Sequence, residues 1–599
     1  MRRRLAAAFL ALLAGTASGA DPAKVVRVAY PSAESSLDPQ DKSDEASGGI
    51  MGNIFDSLLE YDYLARPAKL KPRAAAALPE VTEGGRVYTI HLRHGIHFAP
   101  DPAFHGKERE LVAQDYVYSI ERLLDPHTKS QWLFLVDGKI LGGNAAVAAS
   151  RKANRFDYDR PIDGLRALDR YTLRITLTAP DYNFAYVLAL VATAAVAREV
   201  VEAYGDEVAR HPVGTGPYRV TQWTPGARIV LEANPGYRAE TFESVGADDP
   251  RSREIAASLA GKRLPIVGRI EVSIIDEEQP RWLAFLGGEH EYLRPLPEQF
   301  ADLAMPGGEL APNLAKKGIR VTPDEIAYVT YTTFNMLPVV DGRPNPLGGY
   351  SPERVALRRA IALGFRIEDQ VAILDKHQSV RAGSPLPPSV VGADPRFHGA
   401  PSDPARAKAL LDLFGYVDLD HDGYRENPDG SPLAIDHASV PTQRERQRNE
   451  LWKRSMDDIG IRVTFHKVEK LPELRTQAQL GKVQSFSYGW IADYPDGEDF
   501  LQLFWGGSIG QANYAMFDLP EYNALYEEAK RMPPGAARDA LYTRMVKLVL
   551  AYAPWMVETY KAQSVLMQPW LLNYKKHPFA IEPWKYLDID LARERRERR

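Results

Sequence analysis

The 599-residue chain contains no cysteine. That absence excludes disulfide frameworks, thiolate nucleophiles, zinc–cysteine sites and iron–sulfur clusters. It is compatible with export, because a chain of this size can stabilise itself by burial without cross-links. Basic residues are in deficit as well: 74 Lys and Arg face 79 Asp and Glu, for a net charge of −5. Binding along a phosphate backbone calls for the opposite balance, so no nucleic-acid partner is expected. The chain also lacks a G-x-x-x-x-G-K-[ST] phosphate loop, an H-E-x-x-H helix and a G-x-G-x-x-G turn. The best markers of phosphate-loop enzymes, zinc proteases and dinucleotide enzymes are thus missing, and no catalytic residue, resident metal or cofactor is expected. Long apolar runs are absent too. Leu5 to Leu13 is an unbroken apolar stretch of nine, well short of the roughly 20 residues a membrane-spanning helix takes.

That stretch follows Arg2, Arg3 and Arg4 and precedes Ser18-Gly19-Ala20, small residues at the positions a signal peptidase inspects. Residues 1–20 therefore read as a secretory signal peptide cut after Ala20, and the mature chain as a soluble periplasmic protein. A lipoprotein-type anchor would need a cysteine at the cut, so none is expected. The leader carries three arginines and no acid, which leaves the mature chain at about −8. With 45% hydrophobic and 26% charged residues, a chain this long calls for several cores or one large two-lobed body.

Helical and strand patterns alternate throughout, which places the chain in the α/β or α+β class. Strands are expected at Val25 to Tyr30, Val87 to Leu92, Leu173 to Leu177, Tyr218 to Trp223 and Ile229 to Glu232. Helices are expected over Gly49 to Glu60, Ala113 to Leu124 and Phe184 to Tyr204, and another opens at Ser351-Pro352-Glu353. Leu293 to Pro312, Pro338 to Pro352 and Gly383 to Pro404 are rich in proline and glycine and read as boundaries or surface loops. The arginine-rich last seven residues read as a frayed terminus.

Two groups invite a metal reading. His91, His94 and His97 lie close in sequence, but a strand's period of two sets His94 on the face opposite the other two. Asp418, Asp420 and Asp422 precede Gly423 as in the first half of a calcium loop, yet Asp429 stands where a bidentate glutamate belongs and Leu433 to Val440 reads as a strand. A polar turn accounts for it better.

The remaining motifs form an ordered set. They run Leu37-Asp38-Pro39, Asn53-Ile-Phe-Asp-Ser-Leu-Leu-Glu-Tyr61, Tyr88-Thr-Ile-His-Leu-Arg93, Ala113-Gln-Asp115 through Arg122, His211-Pro-Val-Gly-Thr-Gly-Pro-Tyr218, Asn234-Pro-Gly-Tyr237, Phe334-Asn335, Asp403-Pro-Ala-Arg-Ala-Lys408 and Trp490-Ile-Ala-Asp493-Tyr494-Pro495-Asp496. Across nearly all the mature chain this set resembles the dipeptide- and oligopeptide-binding proteins of ABC transporters, extracellular solute-binding family 5. The resemblance implies an α/β, two-lobed Venus-flytrap fold with an extra subdomain in the first lobe. Lobe one would span residues 21–292 and return at 562–599, ending in the basic tail, with lobe two at 293–561.

It further implies a peptide ligand held between the lobes for an inner-membrane ABC permease, and a protein acting as a monomer. Other members bind oligosaccharides, opines or metal chelates, so a non-peptide solute is the alternative. In peptide binders the aspartate of W-x-x-D meets the ligand's ammonium, a role that falls here to Asp493, with Trp490 and Tyr494 as flat walls. Ser47 and Gly48, ahead of Gly49, are candidate contacts on the facing lobe. Where some members carry an arginine three residues before the tryptophan, this chain has Ser487.

Overall fold

A computed structural model describes residues 19–41, 44–246, 248–580 and 582–598. The leader reading lies, through residue 18, outside the described residues. Among the described residues no helix is long and apolar enough to cross a membrane.

Three larger sheets organise the chain. In the first, strands Asp21–Tyr30 and Val267–Ile274 run parallel, and Arg228–Ala233 and Tyr218–Thr224 continue antiparallel. Val26, Val28, Ile229, Leu231, Ile270 and Val272 point into one core with Ile50 and Ile54 of helix Glu45–Ile54. Trp570, Leu571 and Trp584 complete that core, so both ends of the chain build it. A second sheet, Glu80–Thr82, Val87–His91, Thr172–Thr176 and Leu165–Ala167, packs under helix Ala113–Leu124 in a core of its own. The third sheet has seven strands and carries the second lobe. Ser485–Ile491, Ala434–Ser439 and Arg462–Lys467 lie on one side of Arg320–Phe334, and Trp555–Met567 lies on the other.

The two longest strands of that sheet join the lobes. Arg320–Phe334 pairs antiparallel with Trp555–Met567 from Arg320↔Met567 to Thr333↔Trp555, with irregular register between Glu325 and Val329. Val565 and Met567 sit in the first-lobe core, whereas Trp555 and Tyr560 of the same strand sit in the second-lobe core.

Buried charge pairs tie the sequence motifs together. Arg122 donates to both carboxylate oxygens of Asp38, at 2.8 and 2.6 Å, and to Gln40 Oε1 at 2.7 Å. Asp56 accepts from Arg73 at 2.6 Å, Arg238 at 2.6 Å and the Thr215 hydroxyl at 2.9 Å. Burial opposes ionisation of Asp56, but Arg238 and Arg73 outweigh it and hold the carboxyl below its ordinary value. A side chain at Gly214 or Gly216 would meet the Ile54 carbonyl at 2.1 or 2.6 Å, which is why this turn needs glycine at both positions.

Three expectations are corrected. The helix expected over Gly49 to Glu60 runs Glu45–Ile54: Asp44 caps it by accepting from Ser47 N, and Phe55 N closes it on Met51 O. The chain then turns so that Asp56 can meet its arginines, and Leu59–Tyr61 is a strand. The single helix expected over Phe184 to Tyr204 is broken into Phe184–Val187, a turn at Val191–Thr193, and Arg198–Tyr204. Side chains take the backbone groups between these pieces, with Gln40 donating to the Ala192 and Ala194 carbonyls and Val196 N donating to Ser119 Oγ. Finally, residues 591–598 are not frayed. Leu591–Glu597 is a helix capped by Asp590, and Arg598 donates to the buried Glu291 at 2.8 Å.

Replacing Arg122 with alanine would leave Asp38 buried and unpaired. The expected loss is about 3–5 kcal/mol of unfolding free energy, read by urea denaturation; a loss within experimental error would show that the pair does not hold the two segments together.

Candidate functional site

Strand Ser485–Ile491 lies beside Arg320–Phe334, and the face they share is the floor of a groove of about 830 Å³. Tyr328 supplies aromatic surface on that face, Tyr488 and Trp490 border the groove from the strand's other face, where they pack on the second-lobe core, and Asp493 stands just past the strand end. Gly489 is forced by this packing, since a side chain there would meet the Tyr328 hydroxyl at 2.0 Å. Lys561 from the opposite long strand lies 4.8 Å over the Tyr328 ring. Burial and the nearby Arg444 push its ammonium below the ordinary lysine value. The other cations of the groove are paired: Arg448 with the buried Glu558 at 2.7 Å, and Arg444 with Glu298 at 3.0 Å.

Asp493 is different. Its carboxylate is exposed toward the groove, and among the described residues it makes no ion pair or side-chain hydrogen bond. Behind it lies Asp499, fully buried, which accepts from Trp490 Nε1 at 3.1 Å and from Asp493 N at 3.1 Å. Protein packed around Asp493 desolvates it and raises its pKa. Burial, then the charge of Asp493, pushes Asp499 well above the carboxylate range. Two carboxylates without a cation therefore share one end of the groove, which makes that end attractive to a positive group.

Tyr494 faces away from this groove. Its hydroxyl is bonded to Glu498, and its ring stacks at 6.2 Å on Tyr186 of the first lobe. A separate cavity of about 350 Å³ lies there between the lobes, lined by Asp181 and Tyr182 on one side and by Tyr494 and Trp505 on the other. Trp490 and Asp493 thus share the groove, while Tyr494 marks the lobe contact beside it.

Ser47 and Gly48 do not line the groove. They form the first turn of helix Glu45–Ile54, where the Ser47 hydroxyl donates to Asp44 at 3.0 Å and accepts from Ser35 N at 2.9 Å. Sequence reasoning passed over Asp499, Tyr328, Tyr488 and Lys561. Tyr488 was within reach, because the alternation through Tyr488 and Trp490 puts both on one strand face. Of the metal candidates, His91 contacts Thr172 Oγ1 at 3.2 Å and His94 stacks on Tyr171. Asp418, Asp420 and Glu426 bring ligand atoms within 4.8 Å of one another in the turn. Gly423 N donates to Asp418 there, and Asp422 is spent on Arg462.

A two-lobed body with a second-lobe groove and a lobe-joining strand pair defines a class of binding proteins, and the comparisons place the chain within it. The profile of the family described as bacterial extracellular solute-binding proteins, family 5 Middle, matches residues 69–512. The chain belongs to this family. It is similar to di/tripeptide-binding protein 2 of Pseudomonas aeruginosa, at 25% identity over 98% of this chain and 100% of the relative. It is also similar to heme-binding protein A of Haemophilus influenzae, at 24% identity over 85% of this chain and 83% of the relative. Among solved structures, the unliganded open form of the periplasmic murein tripeptide-binding protein MppA superposes with a TM-score of 0.73 at 18% identity, covering 94% of this chain and 97% of that one. The fold is accordingly the two-lobed periplasmic-binding-protein fold with an extra subdomain in the first lobe.

The raised carboxyl of Asp499 has a consequence for stability. Its folded pKa lies above the unfolded one, so the folded protein holds this proton more tightly, and stability falls as pH rises out of the ordinary carboxylate range. An asparagine oxygen can accept the bonds from Trp490 and Asp493 N. Asp499→Asn is therefore expected to raise the melting temperature of the ligand-free protein at pH 7, and the gain should shrink as pH falls toward 4. Thermal melts across that range check it.

Proposed function

We propose that the protein is the periplasmic binding component of an ABC importer, capturing peptides between its lobes and presenting them to an inner-membrane permease without catalysis. One observation carries the reading: an unpaired carboxylate, Asp493, stands over a buried second one, Asp499, at the end of an aromatic-walled groove. A peptide's α-ammonium supplies the missing charge, and burial of both partners makes that pairing selective for ligands that bear a cation. Trp490, Tyr488 and Tyr328 offer flat surface for side chains of varied shape, and the adjoining strands offer backbone groups to an extended ligand. The di/tripeptide-binding relative supports a peptide over other solutes.

The proposed lobes are residues 21–292 with 562–599, and 293–561, and the two long strands form the hinge. Supporting this division, one core joins residues from Val26 to Tyr292 with residues from Val565 onward, while two others lie within residues 327–560. Segment 293–319 packs on Trp282, Phe285 and Leu566 at the junction. Tyr494 contributes through the lobe contact, and Ser47 by holding the Ser35 and Ser36 N–H groups of the loop opposite. A cleaved leader without a lipid anchor, and a monomeric mature form, complete the proposal.

Calorimetric titration of the mature protein with a tripeptide tests the reading. Asp493→Asn should weaken binding by about a hundredfold, roughly 2–3 kcal/mol, and acetylating the peptide's amine should do the same to the unaltered protein. Unchanged affinity in both would overturn the peptide reading. Native mass spectrometry of the freshly purified protein would then show which solute it carries.

A further inference from the structure

Beneath the lobe interface, inside lobe one, lies a cavity of about 120 Å³ that the peptide reading does not use. Three buried polar groups line it, and none has a hydrogen-bond partner among the described residues: Tyr61 Oη, Tyr586 Oη and His577 Nε2. Tyr61 and Tyr586 are each 5% exposed and His577 is 1% exposed. Leaving such groups unpaired costs the fold, so three around one cavity point to something that pairs them.

The imidazole's role is fixed by its other nitrogen. Nδ1 accepts from Phe579 N at 3.2 Å and Ala580 N at 3.0 Å, so the proton sits on Nε2 and faces the cavity as a donor. Burial, then Arg66, holds the imidazole pKa well below its ordinary value, and the ring stays neutral. The charged groups on the cavity wall are already matched. Lys585 donates to Glu60 at 2.9 Å, Tyr292 Oη to Glu582 at 2.8 Å, and Arg73 to Asp56 at 2.6 Å. No net charge calls for an ion.

The remaining walls are flat and apolar. Tyr63 stacks on Tyr586 at 4.3 Å, and Tyr61 stacks on His577 at 5.2 Å. Half-buried Ala189, Leu190, Val191, Phe579 and Ala580 form the mouth. That mouth abuts the second lobe: Phe579 packs on the second-lobe core, and Tyr186 stacks between Tyr61 and Tyr494. The volume is close to the roughly 150 Å³ of an apolar cavity that admits benzene.

We propose that this cavity is a second binding site, taking a neutral ring-sized group that carries a hydrogen-bonding oxygen, as a phenol does. His577 Nε2–H donates to that oxygen, a tyrosine hydroxyl pairs with it, and the aromatic walls stack on the ring. The same chemistry could arrive as a free phenol or as a side group of a solute already held in the groove.

The probe is p-cresol, titrated calorimetrically into the unaltered mature protein, with toluene as the matched ring lacking the oxygen. Saturable p-cresol binding is expected, with toluene weaker by about tenfold because it leaves the polar groups unpaired. Ala189→Trp, at the half-buried mouth, should abolish binding, and Tyr586→Phe, which removes a single oxygen, should weaken it. Asp493→Asn should leave p-cresol affinity unchanged, so failure of this site and failure of the peptide reading are separable. Displacement of p-cresol by a tyrosine-containing tripeptide, but not by triglycine, would assign the site to the solute's side group; no displacement by either would assign it to a free phenol. Absence of saturable p-cresol binding, equal binding of toluene, or indifference to Ala189→Trp would overturn the proposal and leave the cavity to water.

Discussion

Everything else in the molecule hangs on the ladder between Arg320–Phe334 and Trp555–Met567. A ladder of backbone hydrogen bonds fixes the relation of two segments more than 200 residues apart, and Trp555–Met567 passes from one core to the other. Such a pair can twist and bend where its register is irregular, between Glu325 and Val329, without giving up its ends. It also sets the groove. Strand Ser485–Ile491 docks on the same long strand from Tyr328↔Ile491 to Phe334↔Ser485, which brings Tyr328 against Gly489 and places Trp490 and Asp493 beside the long strand pair. The groove and the long strand pair therefore share the strand Arg320–Phe334.

Charge is managed in opposite ways in the scaffold and in the site. In the scaffold, several buried carboxylates are matched: Asp38 with Arg122, Asp56 with Arg73 and Arg238, Asp496 with Arg538 and Tyr542, Glu558 with Arg448. These pairs join segments remote in sequence, and their desolvation is offset by geometry. At the groove's end Asp493 and Asp499 have no cation, and burial raises both. The contrast marks the groove's end as a candidate site: these two neighbouring acids have no cation among the described residues.

The extent to which sequence spoke varied with the physical origin of each feature. Helix Ala113–Leu124 emerged with its limits intact, because its periodic apolar face and its acidic first turn are local signals. Strands were found to within a few residues for the same reason. The segment from Phe184 to Tyr204 was misread, because it is apolar and alanine-rich and so reads as helix. Its backbone is instead taken up by Gln40 and Ser119, side chains 60 or more residues away that no local pattern reveals. The terminal arginines looked disordered by composition, yet Arg598 is held by Glu291, which a window of seven residues cannot see.

Of the candidate site, Trp490 and Asp493 came from the sequence through a spacing shared with a family, and Asp493 reaches the groove because it lies past the end of strand Ser485–Ile491. Tyr494 came with them, but the chain turns after the strand ends, so its ring went to the lobe contact. Ser47 and Gly48 were chosen by position alone, and helix capping absorbs the hydroxyl. By itself the sequence determined the class: no thiol chemistry, mixed helices and strands, and an ordered set of motifs belonging to one family. Only the tertiary structure decided which charges are left unpaired, since pairing depends on distances between residues hundreds of positions apart, and a cavity's walls belong to no contiguous segment of the chain.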